Sequence, residues 1–253
     1  MSLQKTEAIV LKSMKYGETS KILTLYSRKF GKIKVIAKGA RGLKSRFAGA
    51  LEPSNYIAIV YYEKENRDLQ FLSQADIIET FAKKRQTLEK SSLAMAACEL
   101  VDRLEIGMTP NPRLFKYLLE TLRSLHTATT HPMNCFRAFQ IHIFEIVGVK
   151  PNFKTCLHCK QPRDGEASFD IPRGGFYCDG CTQTRHAGMF LPKTVLSILR
   201  QLQLSPIASL NGQLELPADQ QLMDNFLLAY FKYHVDGFRE LNSLKFLRQI
   251  AAA

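Results

Sequence analysis

The chain has 253 residues, 45% hydrophobic and 23% charged, the proportions of a folded globular protein rather than a disordered one. Its 35 Lys and Arg against 23 Asp and Glu give a formal charge of +12, a balance that favours polyanionic partners such as nucleic acid. No apolar run reaches the roughly 18 residues of a transmembrane helix. The opening Met1-Ser2-Leu3-Gln4-Lys5-Thr6-Glu7 lacks the apolar core of a signal peptide, so a cytoplasmic location with no membrane partner is expected. The basic excess falls mainly in the N-terminal third: residues 1–80 carry 14 basic and 8 acidic groups, residues 81–150 carry 10 and 6, and residues 151–253 carry 11 and 9.

In chain order, residues 1–80 read as five strands: Glu7 to Leu11, Lys21 to Tyr26, Lys32 to Lys38, Tyr56 to Tyr62 and Asp68 to Ile78. Gly, Pro, Asn and Ser signals separate them. Five short strands suit a small closed barrel, either an OB-fold or an SH3-like barrel. Residues 81–253 turn helical. Leu88, Leu93, Ala96, Ala97, Leu100, Val101 and Leu104 recur at three- and four-residue steps. After a break at Gly107 to Pro112, Asn111 is placed to cap a second helix that has Pro112 in its first position. A third helix runs from about Met133 to Val147 and is terminated by Gly148. Residues 151–185 form a Gly-rich, cysteine-bearing insertion, and residues 190–250 return to helix, with Pro192 near one start and Phe226, Leu227, Tyr230 and Phe231 on another. The expected architecture is α+β: an N-terminal five-stranded OB-fold barrel over 1–80, then a helical domain over 81–253 carrying a zinc-binding segment at 151–185.

Cys156-Leu157-His158-Cys159 and Cys178-Asp179-Gly180-Cys181 make C-x2-C-x18-C-x2-C, the spacing of a four-cysteine zinc site. Two thiolates two residues apart can hold one ion from a tight turn, with a small residue such as Gly180 letting backbone N–H groups approach the sulfurs. Two such turns complete the ligand set and leave no position for water, so one structural Zn2+ is expected. The segment between the pairs is short of apolar residues, which makes metal a major source of its folding free energy. His158 and His186 read as bystanders, and Cys98 and Cys135 as small hydrophobes on helices.

From Thr19 to Leu51 there is no Asp or Glu, while Lys21, Arg28, Lys29, Lys32, Lys34, Lys38, Arg41, Lys44 and Arg46 fall within it. Tyr26, Phe30 and Phe47 are interleaved, and Gly39 and Gly42 allow close backbone approach. Single-strand binders combine such a basic groove with aromatic platforms. Arg28, Lys32, Lys34, Lys38, Arg41, Lys44 and Arg46 are therefore the expected phosphate contacts, with Phe30 or Phe47 as stacking groups. The sequence contains no G-x-x-x-x-G-K-[ST], H-E-x-x-H, H-x-E or G-x-S-x-G motif and no clustered carboxylate pair, so no enzymatic activity is expected.

Lys5-Thr6-Glu7-Ala8-Ile9-Val10-Leu11, Tyr16-Gly17-Glu18-Thr19-Ser20-Lys21-Ile22-Leu23-Thr24-Leu25, Gly31-Lys32, Ala37-Lys38-Gly39-Ala40-Arg41, Lys44-Ser45 and Leu51-Glu52-Pro53 follow in order. This ordered set resembles the RecO family of bacterial recombinational-repair mediators, and the four-cysteine insertion and its flanking helices extend the likeness over nearly the whole chain. The resemblance implies an OB-fold, a helical domain and a zinc segment. It further implies binding and annealing of single- and double-stranded DNA, and loading of RecA together with RecR and the C-terminal tail of single-stranded DNA-binding protein. It also implies a nucleoid-associated cytoplasmic location. A groove between helices with a basic rim would suit the acidic tail, and Arg113, Lys116, Arg123 and Arg137 are the candidate rim. Two rival readings are an RNA- or ribosome-associated OB-fold/zinc-ribbon protein and a zinc hydrolase. The hydrolase would need an open metal position that four cysteines do not offer.

Overall fold

Alternating apolar and polar side chains draw the first 80 residues into β1 (Ser2–Tyr16), β2 (Ser20–Ser27), β3 (Gly31–Ala37), β4 (Tyr56–Glu63) and β5 (Leu69–Glu79). The computed structural model describes residues 2–42, 44–47, 49–81, 87–104, 109–182, 188–210 and 219–251. The five strands close into a barrel in the order β1-β2-β3-β5-β4, with β4 pairing back onto β1. All neighbours are antiparallel except β3 and β5. This is the OB-fold arrangement, and it settles the choice left open against an SH3-like barrel. Ala8, Val10, Leu23, Leu25, Val35, Ile57, Tyr61 and Leu72 fill the interior. A bulge between Val10 and Lys12 bends β1 where its pairing with β4 ends and lets it continue along β2 as far as Tyr16 and Ser20.

The opposite faces of β1 and β2 carry Ile9, Leu11 and Tyr26, which are also fully buried. Helices supply their cover. In α1 (Leu88–Arg103), Thr87 caps the N-terminus by accepting from Lys90 N. In α2 (Pro112–Thr127), Asn111 Oδ1 accepts from Leu114 N at 3.0 Å, the cap the sequence predicts. Phe115 of α2 sets its ring centroid 6.2 Å from Tyr26 and 6.0 Å from Tyr56.

The second unit, Thr127–Glu240, begins with α3 (Pro132–Ile146), after which Gly148 turns the chain at φ +82°. β6 (Asn152–Cys156), β7 (Ala167–Asp170) and β8 (Gly175–Cys178) follow, then the short α4 (Asp179–Thr182) and β9 (Met189–Leu191). The four strands form one sheet in the order β6-β8-β7-β9. α5 (Lys193–Leu204) and α6 (Gln220–His234) complete the unit. Its core is aromatic: Phe153 of β6, Phe169 of β7 and Phe226 of α6 meet at centroid distances of 4.8–5.8 Å, and Phe144 of α3 lies 4.6 Å from Tyr230. The insertion therefore has a packed back. The apolar residues between the cysteine pairs are few, but Phe169 and Phe176 are completely buried, as is Phe153 just before them, so packing supports the segment alongside any metal.

The chain then returns to the first unit in α7 (Asn242–Ala251), which packs along α1. The Glu99 carboxylate of α1 caps the α7 N-terminus, accepting from Asn242 N at 2.9 Å and from Ser243 N at 3.0 Å. The first unit is thus Met1–His126 with Leu241–Ala253. The switch from strand to helix comes at residue 80, but α1, α2 and α7 belong with the barrel: α1 and α2 cover its outward apolar residues, and α7 packs on α1.

Candidate nucleic-acid interface and metal centre

The acid-free stretch supplies β2, β3 and the loop after β3. Lys34, Lys38, Arg41, Lys44 and Arg46 are exposed. Lys38 Nζ stands 5.8 Å from the Phe71 ring centroid, and Arg46 lies over Phe47 at 5.1 Å. Arg41 is fixed by its backbone N–H to Thr19 O at 2.8 Å and its guanidinium to Gly17 O at 3.1 Å, which ties the β3 exit to the β1–β2 turn. Lys29, Phe30, Lys32 and Lys34 line a groove of about 710 Å3 with Tyr61 and Gln70, and Glu63, Asp68 and Asp102 share its wall. Lys12 and Lys15, which precede the acid-free stretch and were not singled out, also stand exposed on the extension of β1. The alternation Lys12, Met14, Tyr16 was the available signal for that outward face.

Other predicted contacts are committed elsewhere. Phe47 is only 2% exposed and belongs to the barrel core, so it cannot stack on a base. Phe30 is half-buried with its ring edge-on to Tyr61 at 6.0 Å. Lys32 Nζ donates to Asp102 O and Leu104 O, carbonyls that the end of α1 leaves without helical partners. Arg28 is exposed but paired with Glu7 at 2.8 Å, and Glu7 also accepts from Tyr56 Oη at 2.6 Å. Those two donors hold the Glu7 carboxyl below its ordinary pKa, while burial and the same bond push Tyr56 up to about 12.

The four candidate rim residues do not form one set. Arg113, Lys116 and Arg123 lie on α2: Arg113 is 5.9 Å from the Tyr117 ring centroid, Lys116 faces Glu120 at 3.7 Å, and Arg123 forks onto the Glu79 carboxylate. Arg137 on α3 is 1% exposed. It donates from Nε to Asp224 Oδ1 at 2.8 Å, from Nη2 to Oδ2 at 3.0 Å and from Nη1 to Asn134 Oδ1 at 3.1 Å. A guanidinium consumed by a bidentate internal pair is not a rim residue, and Arg137 is removed from that role.

The cysteines converge as their spacing predicts. β6 ends at Cys156, and the turn to Cys159 is closed by Lys160 N donating to Cys156 O at 3.0 Å, with Lys160 at φ +61°. β8 ends at Cys178, and α4 carries Cys181. All four sulfurs lie within 4.8 Å of one another, and Cys159 and Cys178 are 4.0 Å apart. Zn–S bonds of about 2.3 Å give a tetrahedral S···S edge of about 3.8 Å, so the cluster has the dimensions for one ion. Burial opposes ionisation of Cys156, but the N–H groups of Cys178, Cys159 and His158 outweigh it and bring the thiol down to about 6. Cys178 and Cys181 are pushed up, Cys178 chiefly by burial and Cys181 chiefly by its bond to Cys178. Sulfurs this close share negative charge poorly without a cation, and a metal ion relieves that. A Cβ at Gly175 would sit 2.7 Å from Leu157 Cδ2, whereas Gly180 faces open space. Arg163, not anticipated, has its pKa raised by the neighbouring Cys159 and Cys178 sulfurs, so its charge stands beside the cluster. Arg200 holds its backbone carbonyl at 2.8 Å and that of Phe153 at 2.9 Å. His158 is exposed, and His186 lies outside the described residues.

No helix among the described residues is long and apolar enough to cross a membrane. Residues 1–81 match the family model "Recombination protein O N terminal", and residues 85–245 match "Recombination protein O C terminal". Similar proteins include "DNA repair protein RecO" of Syntrophus aciditrophicus (strain SB), 32% identical with 97% of this chain and 95% of that one covered. The protein of the same name from Salinibacter ruber (strain DSM 13855 / M31) is 37% identical, covering 100% of this chain and 96% of that one. That of Pelotomaculum thermopropionicum (strain DSM 13744 / JCM 10971 / SI) is 32% identical, with 100% and 96% covered.

Proposed function

The chain belongs to the RecO family of DNA repair proteins, and from that premise we propose that it binds single- and double-stranded DNA and anneals complementary strands. It acts without catalysis and helps load RecA onto coated DNA, in company with RecR and the C-terminal tail of single-stranded DNA-binding protein, in the cytoplasm at the nucleoid. The observation that carries this reading is the acid-free stretch Thr19–Leu51 on an OB barrel, with Lys34, Lys38, Arg41, Lys44 and Arg46 all exposed. Cations on one face neutralise the phosphates of two strands at once and lower the repulsion that opposes pairing. No bond is made or broken. Arg28 joins them only by sharing its charge with Glu7, and Lys32 serves the α1 terminus first. Arg113, Lys116 and Arg123 remain the basic candidates for an acidic tail. The metal is Zn2+, one per chain; with it bound, the four thiolates tie the β6 turn to the β8–α4 turn and leave no position for water.

Annealing of two labelled complementary strands, followed by energy transfer with and without a coat of single-stranded DNA-binding protein, tests this. Acceleration on coated strands without nucleotide is expected. With about five phosphates contacted, log affinity for single strands should fall with log salt at a slope near −3.5. A flat salt dependence would remove the electrostatic account, and a preference for structured RNA would move the protein to the RNA-binding reading.

A further inference from the structure

The strand register places a row of apolar residues on the outside of the barrel. Cross-strand partners share a face, and the pairs run Leu3 to Tyr62, Tyr62 to Phe71, Phe71 to Ile36, Ile36 to Ile22 and Ile22 to Met14. The sequence neighbours Tyr61, Leu72, Val35 and Leu23 point into the core, so by the two-residue alternation of a strand the row points out. Leu3, Met14 and Tyr62 are 52%, 45% and 37% exposed, and Ile22, Ile36 and Phe71 are half-buried. The row starts and ends on β1, so it winds around the closed barrel as a belt of five steps between strands, roughly 24 Å along its contour.

Its borders are cationic. Two residues along the same strands stand Lys5 and Lys12 on β1, Lys34 on β3 and Lys64 after β4, with Lys38 just past β3, and none of the flanking positions on that face is Asp or Glu. Among the described residues Lys12, Lys34 and Lys38 have no ion-pair partner. Near the middle, the Phe71 and Tyr62 rings lie 6.2 Å apart and tilted by 34°, with the Lys38 ammonium 5.8 Å from the Phe71 centroid. We propose that this belt is the base-stacking surface for unpaired DNA. Tyr62 and Phe71 take the faces of bases, and Lys12, Lys34 and Lys38 take the phosphates on either side. The assignment rests on the nucleic-acid reading above and sharpens it: the belt selects single strands, because a duplex keeps its base faces stacked internally. It also supplies the aromatic role that Phe47 cannot fill.

The test compares binding of the full chain to an oligothymidylate and to an abasic strand of equal length, which offers phosphates but no base faces. Stacking on two rings should favour the thymidylate about tenfold or more. Tyr62→Leu and Phe71→Leu keep an apolar, strand-compatible side chain and should each bring that ratio most of the way toward one. Tyr62 is the more exposed of the two, so its variant reports even where Phe71→Leu lowers the melting temperature. Quenching of tyrosine emission on binding is a second readout, since the chain has no Trp. Equal binding of the two strands by the unaltered protein overturns the belt and leaves the electrostatic reading standing. A ratio unchanged in both variants also overturns the belt. Failure to bind either strand overturns the belt and the nucleic-acid reading together.

Discussion

Single side chains in this protein show how a charge can be diverted from the surface to the frame. Lys32 sits inside the most basic stretch of the chain, yet its ammonium closes the C-terminus of α1. Arg137 was a candidate for an exposed basic rim, yet it is buried against Asp224, 87 residues further on. Nothing local marks either partner, so neither assignment was legible in the sequence. The same holds for Phe47, whose inward turn depends on a loop conformation that composition does not report. By contrast, the four cysteines were legible because their ligand geometry is set by local spacing. Removing one partner of a buried pair strands the other charge in low dielectric, so Arg137→Ala should cost about 3–5 kcal/mol. Denaturant unfolding would measure it, and Arg137→Met combined with Asp224→Leu should recover a large part of the loss, since no unpaired charge then remains.

At the scale of elements, the strands and the first three helices were readable because period and caps agree: Asn111 and Gly148 sit where they terminate or start a helix. The continuation of β1 to Tyr16 was not, because the bulge between Val10 and Lys12 interrupts the period and Ser13, opposite the core residue Leu23, is polar. β6 to β9 were missed for a related reason. They have only 3–5 residues each, too few for a period to show. Their aromatic residues nevertheless reshape what metal does here. Phe153, Phe169 and Phe226 hold the back of the sheet independently of the thiolates. Chelation should therefore leave α3, α5 and α6 protected against amide exchange while the Cys156–Cys159 and Cys178–Cys181 turns lose protection. If the whole second unit lost protection on chelation, the aromatic core would not be the support inferred.

For the whole molecule, the family models divide the chain at residues 81 and 85, as does the change of period, whereas the compact units divide after His126 and again before Leu241. The reason is physical: Ile9, Leu11, Tyr26 and Tyr56 are apolar on the outside of the barrel, and α1 and α2 bury them. Leaving such side chains in water costs roughly 1.5–3 kcal/mol each, comparable in sum to the entire stability of a small domain. A fragment ending at residue 81 should accordingly melt far below the full chain or aggregate, as calorimetry and light scattering would report. The return of α7 to the Glu99 carboxylate has a consequence in time. A ribosome delivers residues 127–240 before it delivers α7, so the nascent first unit must wait with one side of α1 bare while the whole second unit is made. The order of completion is inside-out: the inserted unit has all its residues first, and the unit that begins the chain closes only after it.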